Sequence, residues 1–258
     1  MCAGYHLEES NALKSIAYAA EHHPIKEQIL GKLGKPLVTK GDVRLSDVVP
    51  VIAPDQKKGE GRVFPMMWGF STKLNTLIPS VDIDILDTTR NPVLLEAWSK
   101  HRCLIPSSWY YDWERIRPVD SYDTFGDQTP ESERRRKYTQ IKTPEKLDGS
   151  EMIGERYMLQ TKGSSITLLA GLYRIEEHDG VKFPHFIILT QYAAPNIMFI
   201  HNKMPVIFDS SDAALLRDWL NPEATPPWDV DRVLENSVTE MVYEKSPVQR
   251  KRSRQPGG

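Results

Sequence analysis

Cys2 directly follows Met1 and precedes Ala3 and Gly4. Aminopeptidases trim methionine ahead of small second residues, and the trimmed chain would carry an α-amine and a thiol on one residue. Such groups ordinarily titrate at about 7.7–8.0 and about 8.5, so both are partly nucleophilic near neutral pH. An amine meeting an aldehyde forms an imine, and a neighbouring thiol then closes on the same carbon to give a five-membered thiazolidine. A second-position cysteine is more often an incidental residue of a frayed terminus. The rest of the chain must therefore supply the acid and base that such chemistry needs.

Other chemistries find little support. No Gly-rich phosphate loop, Cys-x-x-Cys pair, His-Glu-x-x-His or Gly-x-Ser-x-Gly occurs, so the sequence calls for no nucleotide, metal or other cofactor. Adjacent His22 and His23 cannot both face one ion from a helix. Cys103 sits in an apolar run and reads as a small buried hydrophobe rather than a second nucleophile. With two cysteines there is no disulfide framework, which suits a reducing compartment. No apolar run is long enough to span a bilayer, so a cytoplasmic location away from membranes is expected. The net charge of -2 excludes a globally basic nucleic-acid binder but leaves room for local cationic grooves.

The elements that must position these residues follow from periodicity. Leu13, Ile16, Ala17 and Ala20 mark an amphipathic helix within 7–20, and Asn91-Pro92 opens another with Val93, Leu94, Ala97 and Trp98 on one face. Strands are predicted over 48–52, 63–70, 102–106, 109–113, 157–160, 166–173, 185–190, 204–208 and 239–243. Further helices are predicted over 194–200 and from the Ser210-Ser211-Asp212 cap to Leu220. Residues from about 115 to 155 are charged and apolar-poor, and so read as a surface insertion. The end of the chain, 246–258, reads as a disordered basic tail. Short strands interspersed with helices predict a single α+β domain over 2–245, with a largely antiparallel, curved, barrel-like sheet.

Four stretches taken together resemble the SOS response-associated peptidase (SRAP) family. They are Met1-Cys2, Trp68-Gly69-Phe70, Arg102-Cys103-Leu104-Ile105-Pro106 with the aromatic-acid-Trp run ending at Trp113, and Ile200-His201-Asn202-Lys203-Met204-Pro205-Val206-Ile207. The resemblance implies a monomeric protein that binds single-stranded DNA and links its N-terminal cysteine to an abasic-site aldehyde, working on the nucleoid when bound. An AP-lyase-like or autoproteolytic peptidase activity belongs to the same expectation. It assigns Cys2 as nucleophile and His201 as acid/base. Asp112 stands where the family usually has Glu, one methylene shorter. Trp68 and Gly69 resemble the family's wedge at the lesion, and Pro54 its cradle turn. Arg90 and Lys203, with Lys73, Arg102 and Arg115, are candidate phosphate contacts.

The chain departs from the family at two places. The usual Cys-Gly-Arg start is Cys2-Ala3-Gly4, which removes a cation. The usual Asn-x-Arg-x-Glu-Thr stretch is Asp82-Ile83-Asp84-Ile85-Leu86-Asp87-Thr88, whose carboxylates would repel phosphate. Two rival readings therefore stay open: an N-terminal-nucleophile peptidase or amidase, and a non-catalytic nucleic-acid or protein-binding module.

Overall fold

A computed structural model describes residues 4–55, 61–74, 76–116, 152–178, 180–225 and 227–246. In chain order these form β1 (Gly4–Leu7), α1 (Asn11–Glu21), α2 (Ile25–Leu33), β2 (Gly41–Val43), β3 (Val48–Pro54), β4 (Gly61–Trp68), β5 (Phe70–Ser71), β6 (Leu77–Ile78) and β7 (Ser80–Asp82). A 3-10 turn at Ile83–Ile85 leads to α3 (Pro92–Lys100), β8 (Arg102–Ser107), β9 (Trp109–Ile116), β10 (Met152–Thr161), β11 (Thr167–His178) and β12 (Val181–Tyr192). The chain ends with β13 (Lys203–Pro205), β14 (Ile207–Phe208), α4 (Ala213–Leu220), α5 (Val230–Asn236) and β15 (Met241–Lys245).

Strands β12, β4, β3, β8 and β11 pair in that order, and β11 returns to β12, so this sheet closes into a barrel. The β12–β4 seam is parallel and the rest of the ring is antiparallel. A second antiparallel sheet runs β15-β10-β9-β1-β2. The α+β, largely antiparallel, barrel-like architecture expected from the sequence is the one observed. Closure demands a glycine: a Cβ on Gly171 would sit 2.5 Å from Ile105 Cδ1 and 2.6 Å from the Ile187 carbonyl oxygen.

Alternation along each strand sorts most of the core into two clusters, beside a smaller third one of Ile29, Val48, Met67, Val181 and Phe183. Cys103 and Ile105 of β8 join Tyr5, Leu159, Trp68 and Phe186 between barrel and second sheet. Leu104, pointing the other way, joins Trp219, Trp228, Ala97 and Val233 beneath α3, α4 and α5. The helices begin where side chains accept the orphan amides: Ser10 from Leu13, Asn91 from Val93 and Asp212 from Leu215.

Several elements differ from expectation. Leu7 belongs to a strand, not to the first helix, which waits for the Ser10 cap. Short α2 and α5 went unforeseen. The predicted helix at 194–200 is a run of turns, with Ile197 donating to Ala194 and Ile200 to Ile197. Ala193 donates to Asn202, closing the base of this loop at 3.0 Å, so the chain reverses direction where a helix would have carried it onward. The expected insertion is flanked by strand, since β9 runs to Ile116 and β10 starts at Met152; residues 117–151 lie outside the described residues. Ser246, expected in the tail, is buried and donates its amide to the Arg156 carbonyl; 247–258 also lie outside the described residues. Among the described residues no helix is long and apolar enough to cross a membrane.

Candidate active site

The site is built where β9 meets the loop that follows β12. Arg115 donates its amide to the Ile200 carbonyl at 2.9 Å, which fastens the loop to β9 immediately ahead of His201. His201 Nδ1 then lies 3.6 Å from Asp112 Oδ2. The same nitrogen lies 3.0 Å from the Lys203 carbonyl oxygen, so the ring is held by its Nδ1 edge. Asp112 Oδ1 accepts from the Trp113 amide at 2.9 Å. Only 2 % of Asp112 is exposed. Burial pushes its carboxyl up to about 6, although the Trp113 N–H and the Arg115 charge pull the other way. Two residues 89 positions apart in sequence thus form an acid–base pair whose carboxyl holds its proton close to neutrality.

Strand β1 pairs with β9 beside this pair. Gly4 is paired with Tyr111, the neighbour of Asp112. Cys2, two positions earlier, lies outside the described residues. A Cβ on Gly4 would sit 2.9 Å from the Val43 carbonyl oxygen, so β1 passes β2 too closely for a side chain there. The missing cation at position 4 therefore goes with a local crowding of backbone.

A polar cluster that the sequence reading missed pins β1 in place. His6 Nδ1 lies 2.7 Å from Asp42 Oδ1, and the His6 ring stacks on Trp109 at 4.3 Å. The Tyr111 hydroxyl donates to the same Asp42 oxygen at 3.0 Å, while the Arg156 guanidinium sits 4.2 Å over the Tyr111 ring. Burial works to raise the Asp42 carboxyl, yet the bonds from His6 and Tyr111 hold it below the usual range. The partners come from four strands, β1, β2, β9 and β10, so no local spacing could have signalled the cluster.

The expected DNA contacts fare unevenly. Trp68 is 1 % exposed, donates its indole N–H to the Pro79 carbonyl and packs against Tyr5 and Phe186, so it is a core residue here. Gly69 serves the backbone: its φ is 112°, and it donates to the Phe186 carbonyl at 2.7 Å. Pro54 pairs with Gly61 at the far end of the β3–β4 hairpin. Seven residues of strand separate it from the Trp68 end, a span of about 20 Å, so wedge and cradle do not come together. Arg102 is buried and donates to backbone carbonyls of Trp98, Ser99, Trp219 and Asn221, which removes it from the phosphate candidates. Arg90 and Lys73 are exposed.

Lys203 is engaged by the acidic stretch. Its ammonium is paired with Asp82, lies 3.6 Å from Asp84 Oδ2, and rests 3.5 Å from the Tyr192 ring centroid. Burial and the Asp82 charge both raise the Asp84 carboxyl, with Lys203 opposing them. The carboxylates of the altered stretch and the retained lysine thus answer each other.

Comparison with known proteins agrees with the fold. The sequence matches the family described as SOS response associated peptidase (SRAP) over residues 1–252. A solved protein from Bacteroides thetaiotaomicron is similar at a TM-score of 0.58 and 17 % identity, with 96 % of this chain and 93 % of that one covered. A protein from Bordetella bronchiseptica gives a TM-score of 0.57 at 14 % identity, covering 96 % of this chain and 100 % of that one. A phage-related protein from the same organism gives 0.53 at 15 %, covering 95 % and 94 %. At these identities the structural likeness speaks for the fold alone. No curated protein matches. With a family match spanning nearly the whole sequence and the fold in agreement, the chain belongs to the SOS response-associated peptidase (SRAP) family.

Proposed function

We propose that this protein captures abasic sites in single-stranded DNA by joining Cys2, once Met1 is removed, to the ring-opened sugar aldehyde as a thiazolidine. The observation that carries this reading is the pairing of buried Asp112 with part-buried His201, set beside the strand that begins two residues after Cys2. Two residues reach at most about 7 Å, a short tether that supports a role for the Cys2 thiol at this pair. Family membership supports a role in DNA damage.

Every proposed step has a proton to move. Ring opening needs a proton on the sugar ring oxygen and loss of one from the anomeric hydroxyl. The Cys2 amine adds to the aldehyde carbon, and the resulting carbinolamine loses water to give an imine. The thiol sulfur then adds to that carbon while its proton passes to nitrogen. One water leaves and no oxidant is required. A carboxyl titrating at about 6 can both give and take protons near neutrality, with His201 alongside as the second carrier. The protein acts as a monomer in the cytoplasm, at the nucleoid when bound to DNA.

A second reading, an N-terminal-nucleophile amidase, is favoured by one observation: Lys203 is already neutralised by Asp82 and Asp84, which weakens the attraction of this face for a polyanion. The deciding experiment incubates the mature protein with single-stranded DNA bearing one abasic site, followed by denaturing electrophoresis and intact mass. A heat-stable adduct of protein plus DNA minus one water, lost in Cys2→Ala, is the expected result. Met1 removed with no adduct formed would sink the crosslinking reading and leave the amidase reading to be tested on amide substrates.

A further inference from the structure

Glu176 and His178 lie at the end of β11, and His185 stands across the hairpin on β12, opposite Arg174. This cluster is at the turn end of the hairpin, whereas His201 follows the other end of β12. One ligand atom from each of the three residues lies within 4.8 Å of the others. His185 is fully buried, at 0 % exposure. Its Nδ1 lies 2.9 Å from the Gly69 carbonyl oxygen. A carbonyl only accepts, so Nδ1 carries the proton and Nε2 carries the lone pair. That buried Nε2 meets no hydrogen-bond donor among the described residues, and neither does it for His178 Nε2, which is also buried.

Glu176 divides its two oxygens between different tasks. Oε1 accepts from Arg174 Nε at 2.7 Å and from the Ser71 amide at 3.0 Å. Oε2 is turned to the imidazoles, 3.4 Å from His178 Nε2 and 3.6 Å from His185 Nδ1. The two rings lie 4.9 Å apart at an interplanar angle of 18°. A neutral imidazole anchored through Nδ1–H to a backbone carbonyl, with Nε2 left basic, is the form in which metal-binding histidines are held.

We infer that Glu176, His178 and His185 bind one divalent transition-metal ion of the Zn²⁺ class, through two imidazole nitrogens and one carboxylate oxygen. Nitrogen and oxygen donors in this number suit a borderline ion rather than Mg²⁺ or Ca²⁺, which take oxygen ligands. Arg174 orients the carboxylate from its other oxygen, and its charge keeps the affinity moderate. The ion would fasten the hairpin end to Gly69, the residue directly after Trp68, and so stiffen the turn that leads out of the barrel strand β4. The sequence hid this site because His185 meets Glu176 and His178 only across a hairpin, with no metal-type spacing along the chain.

The test titrates Zn²⁺, and Co²⁺ as a spectroscopic probe, into chelator-treated full-length protein carrying Cys2→Ala, which keeps the N-terminal thiol from contributing. Native mass spectrometry, visible absorption and thermal unfolding supply the readouts. One ion per chain is expected, with a raised unfolding temperature and an affinity at least about tenfold lower in His178→Ala. His178 is partly exposed, so that variant keeps its fold; Glu176→Gln, close in shape, is expected to weaken binding as well. A stoichiometry well below one with an unmoved unfolding temperature overturns the inference. Equal binding by the parent and His178→Ala overturns it too, and leaves Glu176 and His178 as an ion pair only.

Discussion

Arg102 and Asp112 stand on consecutive strands, both buried, at 4 % and 2 % exposure, and they handle their charges in opposite ways. The Arg102 guanidinium donates to carbonyls in the last turns of α3 and α4, where the partial negative charge of helix C-termini gathers. Burial lowers it to about 10, still far above neutral, so it remains a cation that joins two helices to the barrel. Asp112 sits beside an imidazole instead, and burial lifts it to about 6, where its proton can move. A buried charge fully answered by fixed dipoles becomes architecture, and one left near its titration point becomes chemistry.

That contrast can be broken most sharply at the site. His201→Ala is expected to slow adduct formation on abasic DNA by about 10²–10⁴-fold, with the circular dichroism spectrum and unfolding midpoint nearly unchanged; a rate within a few-fold of the parent would remove His201 from the chemistry. At the other pole, Arg102→Met should destabilise by about 3–5 kcal/mol, read from urea unfolding. It leaves four backbone carbonyls in a dry corner without their donor.

Asp112→Asn sharpens the comparison through pH. The folded-state value of about 6 lies above the ordinary 3.8, so the folded chain holds this proton more tightly than the unfolded chain does. Its contribution to stability is complete below about pH 4 and is lost as pH rises through about 6. The neutral isostere escapes that loss, so Asp112→Asn should be more stable than the parent by about 2–3 kcal/mol at pH 7.5, the gain fading by pH 4, while the crosslinking rate falls. A variant that is destabilised at neutral pH would mean that the carboxylate is fully compensated where it stands. The smallest effect is expected from Asp82→Asn, which loosens the hold on Lys203. Affinity for single-stranded DNA should rise a few-fold, with the salt dependence steeper by about one counterion; fluorescence anisotropy across a salt series measures both.

Much of the fold was legible because it rests on local rules. The Asn91-Pro92 and Asp212 helix starts, the strands around Cys103 and Ile188, and the burial of Cys103 follow from caps and apolar runs. Local rules failed at 194–200, where the pattern suits a helix but the bond from Ala193 to Asn202 closes a loop. They failed again at Trp68 and Arg102, because residue type alone does not distinguish an aromatic that meets a base from one that meets Phe186, or a cation for phosphate from one for helix carbonyls.

The sequence by itself determined the reagents: a cysteine behind Met1, a histidine in a recognisable stretch, and an acid in an aromatic strand. It also determined the mixed, barrel-like architecture, since periodicity and turn chemistry act over a few residues. Only the tertiary structure decided which of these groups meet. The distance from His201 to Asp112, the burial that lifts Asp112, and the grip of Asp82 on Lys203 all join residues remote in the chain. Proton affinity depends on the solvent and charges within a few ångströms of a group, and a linear sequence does not specify those neighbours until the sheets close.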